Sequence, residues 1–235
     1  MLVIKRKSLI IISVLLMTAI TFAICIGALK GGSAGAEASR MTVVLDAGHG
    51  GVDGGVTGVN TGVKESELNL MLVKDLQKYL EDAGLKVVLT RSSDAGLYGI
   101  ATNNLKRKDM EKRKEIIEKA QPVLVVSVHL NQYSVSTRCG AQVFYKAGDE
   151  NGKLLADSIQ SEFNAMEEAT RSLSALSGDY YILNCTQYPS VIAECGFLSN
   201  PREEELLLKE EYRDSLAYSM FKGIVSYIAQ ASMAD

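Results

Sequence analysis

Two histidines occur among the 235 residues, and their surroundings are alike. His49 stands in Gly48-His49-Gly50 and His129 in Val128-His129-Leu130-Asn131, each directly after an apolar run of strand length. Glu194 follows the apolar run 190–193 in the same manner. Glu65 and Glu67 open an amphipathic stretch behind a glycine-rich loop. Two imidazoles and one carboxylate make a catalytic zinc set, with the fourth position left for water. A second carboxylate can then serve as general base on that water. On spacing alone, Glu65 and Glu67 compete for the carboxylate position. Each residue also has an ordinary structural reading. A strand-end His is often held by hydrogen bonds, and a Glu in a first helical turn is stabilised by the helix dipole. Glu194 resists that reading, because an unpaired buried carboxylate is costly. The glycine loop lacks the spacings of a phosphate cradle.

The elements around these residues alternate between strand and helix. Residues 42–45 form a short apolar strand that runs into Asp46-Ala47-Gly48-His49-Gly50-Gly51. Residues 65–83 carry Leu68, Leu72, Leu76 and Leu80 at four-residue spacing, which lines one helix face. Gly84 suits the position just past that helix. Strands are expected at 86–91, 123–128, 140–145, 179–183 and 190–193, with a polar loop at 92–104. Helices are expected at 106–120 and 152–169. Another begins at Asn200-Pro201, with Glu203 three residues after the cap, and runs with a break to about residue 231. The order predicts an α/β fold in one domain, a mainly parallel twisted sheet flanked by helices. In such sheets, sites form at the carboxyl ends of strands, where His49, His129 and Glu194 would converge.

The first 38 residues differ in kind. Lys5, Arg6 and Lys7 precede an uncharged apolar run from 8 to 29, followed by small residues with two Ala-x-Ala patterns ending at Ala36 and Ala38. The segment reads as an export signal, cleaved there or kept as a membrane anchor. Its basic start would stay in the cytoplasm and the rest of the chain would face outward. Bulky Ile24 before Cys25 disfavours a lipoprotein site. Residues 1–38 hold four basic side chains and one acidic one, so residues 39–235 carry a formal charge of about −6. That balance disfavours a nucleic-acid partner. Cys139, Cys185 and Cys195 are odd in number and include no C-x-x-C pair, so they leave at least one thiol without an internal partner and offer no cysteine zinc site.

Four stretches resemble, in order, the motifs of the zinc-dependent N-acetylmuramoyl-L-alanine amidases of bacterial cell walls. They are V-V-L-D-A-G-H-G-G at 43–51, G-V-K-E-S-E-L-N-L at 62–70, S-V-H-L-N at 127–131 and P-S-V-I-A-E-C-G-F-L-S-N at 189–200. The resemblance implies zinc held by His49, Glu65 and His129, with Glu65 rather than Glu67 as ligand and Glu194 as the catalytic general base. It implies hydrolysis of the amide between N-acetylmuramic acid and L-alanine in peptidoglycan, with Asn131 orienting substrate or a ligand. Leu130 and Cys195 look like the variants of the spore-cortex amidases, which implies a part in muramic lactam formation and germination. Residues 39–235 would be the catalytic domain. That domain is acidic and shows no wall-binding module. Its retention would then rest on the N-terminal segment or on a helper protein that positions it or secures its zinc. A zinc peptidase or carboxypeptidase trimming wall peptides would use the same donor set. A wall-binding protein without activity would not need all four positions.

Overall fold

The structure is a computed structural model and describes residues 41–234. The expected export segment, 1–38, lies outside the described residues. Strands β1 (Thr42–Ala47), β2 (Lys86–Leu89), β3 (Leu124–Asn131), β4 (Gln142–Tyr145), β5 (Leu176–Ser177) and β6 (Ser190–Phe197) form one sheet. Their order is β2-β1-β3-β6-β4-β5. The pairs β1–β2, β1–β3, β3–β6 and β4–β5 are parallel, and β4–β6 is antiparallel. The expected mainly parallel α/β sheet is therefore present. From β1 the chain moves outward to β2, then crosses back over β1 to β3. Strand order reverses between β1 and β3, and a cleft is expected at their carboxyl ends.

Alternation along the strands divides the sheet's two faces. Val43, Leu45, Ala47, Leu124, Val126, Val128, Val191 and Ala193 enter the larger core. It is completed by α1 (Glu65–Asp82), α3 (Glu150–Asn164) and α6 (Glu210–Ala234). Val44, Val125 and Ile192 face the opposite way, toward a smaller core with α2 (Leu105–Ala120) and α4 (Tyr181–Asn184). Asp46, Ser127, His129 and Glu194 have the parity of this second face.

On α1, Leu68, Leu72, Leu76 and Leu80 are all fully buried. Burying one such side chain is worth roughly 1.5–3 kcal/mol, so this stripe docks the helix that presents Glu65. The helix closes as expected at Gly84, whose φ is 85°. Gly84 N–H donates to the Glu81 carbonyl and Leu85 N–H to the Leu80 carbonyl, the paired bonds of a Schellman cap. Helix α5 (Pro201–Leu207) starts as expected, with the Asn200 side chain accepting from the Arg202 and Glu203 N–H groups. The expected break before the last helix falls between Leu207 and Glu210.

Several expected boundaries differ. The stretch 179–183 is not a strand. Tyr181–Asn184 is one helical turn, with Leu183 and Asn184 N–H groups donating to the Tyr180 carbonyl. Ile182 and Leu183, adjacent in sequence, are both buried in the smaller core, which a helical turn allows and strict strand alternation does not. A short apolar run looks the same in either state. Helix α3 begins earlier than expected, because Asp149 caps it by accepting from Gly152 N–H, and it ends earlier than expected, at Asn164. Strands β3 and β6 run past their apolar stretches, so His129 and Glu194 lie within strands rather than after them. Among the described residues, no helix is long and apolar enough to cross a membrane.

Candidate functional site

His49 sits just beyond β1 in the left-handed backbone region, with φ 62°. The turn that presents it is held from within the protein. Buried Arg91 donates to the carbonyls of Ala47, Gly48 and Ser66. Buried Arg113, from α2, donates to the carbonyls of Ala47 and His49 and to Asp46 Oδ1. Asp46 also accepts from Thr90 and Ser127 hydroxyls at 2.6 and 2.5 Å. Burial alone would raise its pKa, but the Arg113 charge and the two hydroxyls outweigh that and hold it at about 2. Two guanidiniums thus fix the backbone from Ala47 to His49.

Glu65 opens α1 and is 2% exposed. Its Oε1 lies 3.2 Å from His49 Nε2 and 2.9 Å from His129 Nδ1. The same oxygen accepts from Leu130 N–H and Asn69 Nδ2, and Oε2 accepts from Val56 N–H. Burial favours the neutral acid, but the hydrogen bonds from His129 and His49 win and hold the carboxyl well below the usual carboxylate range. Burial pulls the His49 pKa down, and its bond to Glu65 more than reverses this, so the value is raised.

One donor atom from each of His49, Glu65 and His129 falls within 4.8 Å of the others. Ligand atoms around a tetrahedral zinc with bonds of about 2.0–2.1 Å sit roughly 3.3 Å apart. The Glu65 distances to both imidazoles are close to that spacing, so the donor set fits a small divalent metal in both chemistry and size. Glu67 lies on the same helical turn but outside this cluster. Two glycines make room. A Cβ on Gly48 would overlap the His129 ring, and one on Gly55 would overlap the Glu65 carboxylate.

Glu194 stands on β6 opposite His129 on β3. Its Oε2 is buried and meets no hydrogen-bond partner among the described residues. Burial pushes the carboxyl up to about 7, with Glu65 adding to the rise and His129 opposing it. A cleft of about 760 Å³ opens over these groups. Lys106, Asn131, Asp179, Tyr180 and Tyr181 line it further out. Asn131, the expected orienting residue, lines the cleft with its Oδ1 accepting from Gln132 N–H.

The structure brings together His49, Glu65, His129 and Glu194. Reading the sequence did not identify Asp46, Arg91 or Arg113. Asp46 carried a signal: an acid inside an apolar strand must find a partner. Arg113 carried none, since it is one of seven Lys and Arg side chains between 106 and 119.

The fold and this cluster suit a hydrolase of amide bonds. The chain belongs to the N-acetylmuramoyl-L-alanine amidase family (Amidase_3), whose pattern it matches over residues 43–226. It is thus an N-acetylmuramoyl-L-alanine amidase, a hydrolase of peptidoglycan. It is 35% identical over 196 residues to the germination-specific N-acetylmuramoyl-L-alanine amidase of Bacillus subtilis (strain 168), which covers 82% of this chain and 81% of that protein. Among solved structures, the CwlD amidase from Clostridioides difficile, determined in complex with the GerS lipoprotein, superposes with a TM-score of 0.78. It is 35% identical, covering 81% of this chain and 99% of that one. The catalytic domain of CwlV, an amidase from Bacillus (Paenibacillus) polymyxa, superposes with a TM-score of 0.70 at 27% identity, covering 81% and 99%. The expected family is borne out.

Proposed function

We propose that this amidase is exported and zinc-dependent, with His49, Glu65 and His129 holding the metal and Glu194 acting as general base and then general acid. One observation carries the reading. A buried carboxylate with an orphaned oxygen faces the same cleft as the His-Glu-His cluster, and its pKa of about 7 suits proton transfer near neutral pH. Zinc, when bound, would polarise the substrate carbonyl and lower the pKa of a water to about 7. Glu194 Oε2 takes the proton from the attacking water as the new C–O bond forms at the lactyl carbonyl. The same carboxyl then delivers that proton to the L-alanine nitrogen as the C–N bond breaks. The products are a free lactyl carboxylate on the glycan and a stem peptide with a free amino terminus. The cleft, lined by Tyr180, Tyr181 and Asn131, is the surface against which the substrate packs.

The spore-cortex role rests on the germination-specific relative. There, removal of the peptide would prepare muramic acid for lactam formation by a second enzyme. A helper protein is supported by the lipoprotein bound to the C. difficile relative. Export is supported by the basic start and apolar run of residues 1–38, as a cleaved signal or a retained anchor, with 39–235 as the catalytic domain. The same donor set would serve a peptidase, but the family match favours the muramyl amide.

The test is product analysis on purified peptidoglycan, with protein stripped by chelator and then given zinc. Stem peptides beginning with a free L-alanine should appear only after zinc returns. Full activity after stripping contradicts the metal assignment. Trimmed peptides still joined to muramic acid would mark a peptidase.

A further inference from the structure

His49 has two nitrogens, and the cluster described above uses one of them. Nε2 faces Glu65 Oε1 at 3.2 Å. Nδ1, across the ring, lies 2.9 Å from Asp53 Oδ1. Asp53 is not a member of the His-Glu-His cluster. Its own position is set by a tight turn. Gly50 N–H donates to the Asp53 carbonyl at 2.8 Å and Asp53 N–H returns to the Gly50 carbonyl at 3.3 Å. Gly55 N–H donates to Asp53 Oδ1 at 3.2 Å. The turn from His49 to Asp53 thus folds the acid back onto the ring four residues earlier.

We propose that Asp53 is a positioning residue that accepts the Nδ1 proton of His49, locks the ring in the Nδ1–H tautomer and leaves Nε2 as the metal donor. A neutral imidazole can give a lone pair only from the nitrogen without a proton. A carboxylate on the far nitrogen fixes the proton there, sets ring orientation and makes the near nitrogen a stronger donor. The role extends the zinc reading above and rests on it. The geometry also explains why an acid follows His49 at this spacing. Asp53 is 40% exposed, so its removal leaves no void in the core.

The histidine count permits a direct test. With two imidazoles in the chain, nitrogen NMR of histidine-labelled, zinc-free protein resolves each ring. At alkaline pH, where the His49 ring is neutral, His49 should be protonated at Nδ1. In Asp53→Ala the proton should move to Nε2, toward Glu65. Zinc affinity, read by competition with a chromogenic chelator, should fall about 10–100-fold in Asp53→Ala. Asp53→Asn keeps an acceptor oxygen but no charge, and should fall between the two. The melting temperature of the zinc-free variants should stay near that of the parent. A wild-type His49 protonated at Nε2 overturns the proposal, as does an Asp53→Ala protein that holds zinc as tightly as the parent. Absence of zinc binding by the wild type itself would instead count against the metal assignment, and the tautomer readout would still decide the role of Asp53.

Discussion

Glu194 lies directly opposite His129 in the parallel register of β3 and β6. Residues paired in this way on neighbouring strands point to the same face of a sheet. The register therefore turns two side chains 65 positions apart into neighbours. A one-residue slip would send one of them into the larger core. The neighbouring strands hold the register through four further pairs, from Val125–Ser190 to Val128–Ala193.

Replacing Arg113 should be among the most damaging changes outside the cluster. Arg113→Met removes the partner of buried Asp46 and the support of the His49 carbonyl. Breaking a buried pair on one side costs about 3–5 kcal/mol. Chemical denaturation measures this directly. A loss below about 1 kcal/mol would mean the pair contributes little.

Acid should reveal the same pair. Asp46 has a folded pKa of about 2, depressed from its ordinary value of 3.8. A depressed carboxylate contributes stability that is present above pH 3.8 and is lost as pH falls toward 2. Stability of the parent should therefore decline more steeply across that window than that of Asp46→Asn. Equal slopes would show that Asp46 is not depressed.

Gly48→Ala should harm the site more than the fold. The new methyl group meets the His129 ring, and strain of this kind costs about 1–3 kcal/mol. Zinc affinity should drop roughly tenfold or more, with circular dichroism unchanged. Parental affinity would mean that the ring moves aside without cost.

Glu204 ties the glycine loop to α5. It is fully buried and accepts from Asn60 N–H, Thr61 N–H and the Thr61 hydroxyl. Glu204→Ala leaves these donors unpaired, at about 1–3 kcal/mol. Hydrogen exchange of residues 58–62 should quicken in the variant. Unchanged protection there would place the loop's support elsewhere.

Much of this was legible beforehand, because it rests on local signals. The leucine stripe of α1, the Gly84 cap and the Asn200-Pro201 start are written in adjacent residues. So are the two histidines after their apolar runs. The register that pairs His129 with Glu194 is not, since no local rule says which strands become neighbours. Nor is the choice of Glu65 over Glu67 by spacing. The motif resemblance made that choice, and the structure puts Glu65 between both imidazoles. Arg113 was hidden because a charged helix usually faces solvent, and here one of its cations is the largest fully buried side chain. The stretch 179–183 reads as a strand in sequence because its four apolar and aromatic residues, Tyr180 to Leu183, fit strand and helix alike.

The most direct measurement compares Glu194→Gln with the parent for both zinc content and stem-peptide release from purified peptidoglycan. Gln has the size of Glu but cannot take up the proton. The expected result is one zinc per chain, as in the parent, with release slowed by about 10²–10⁴-fold. A Glu194→Gln protein that retains zinc and releases peptide at the parental rate would contradict the role of Glu194 at the centre of this mechanism.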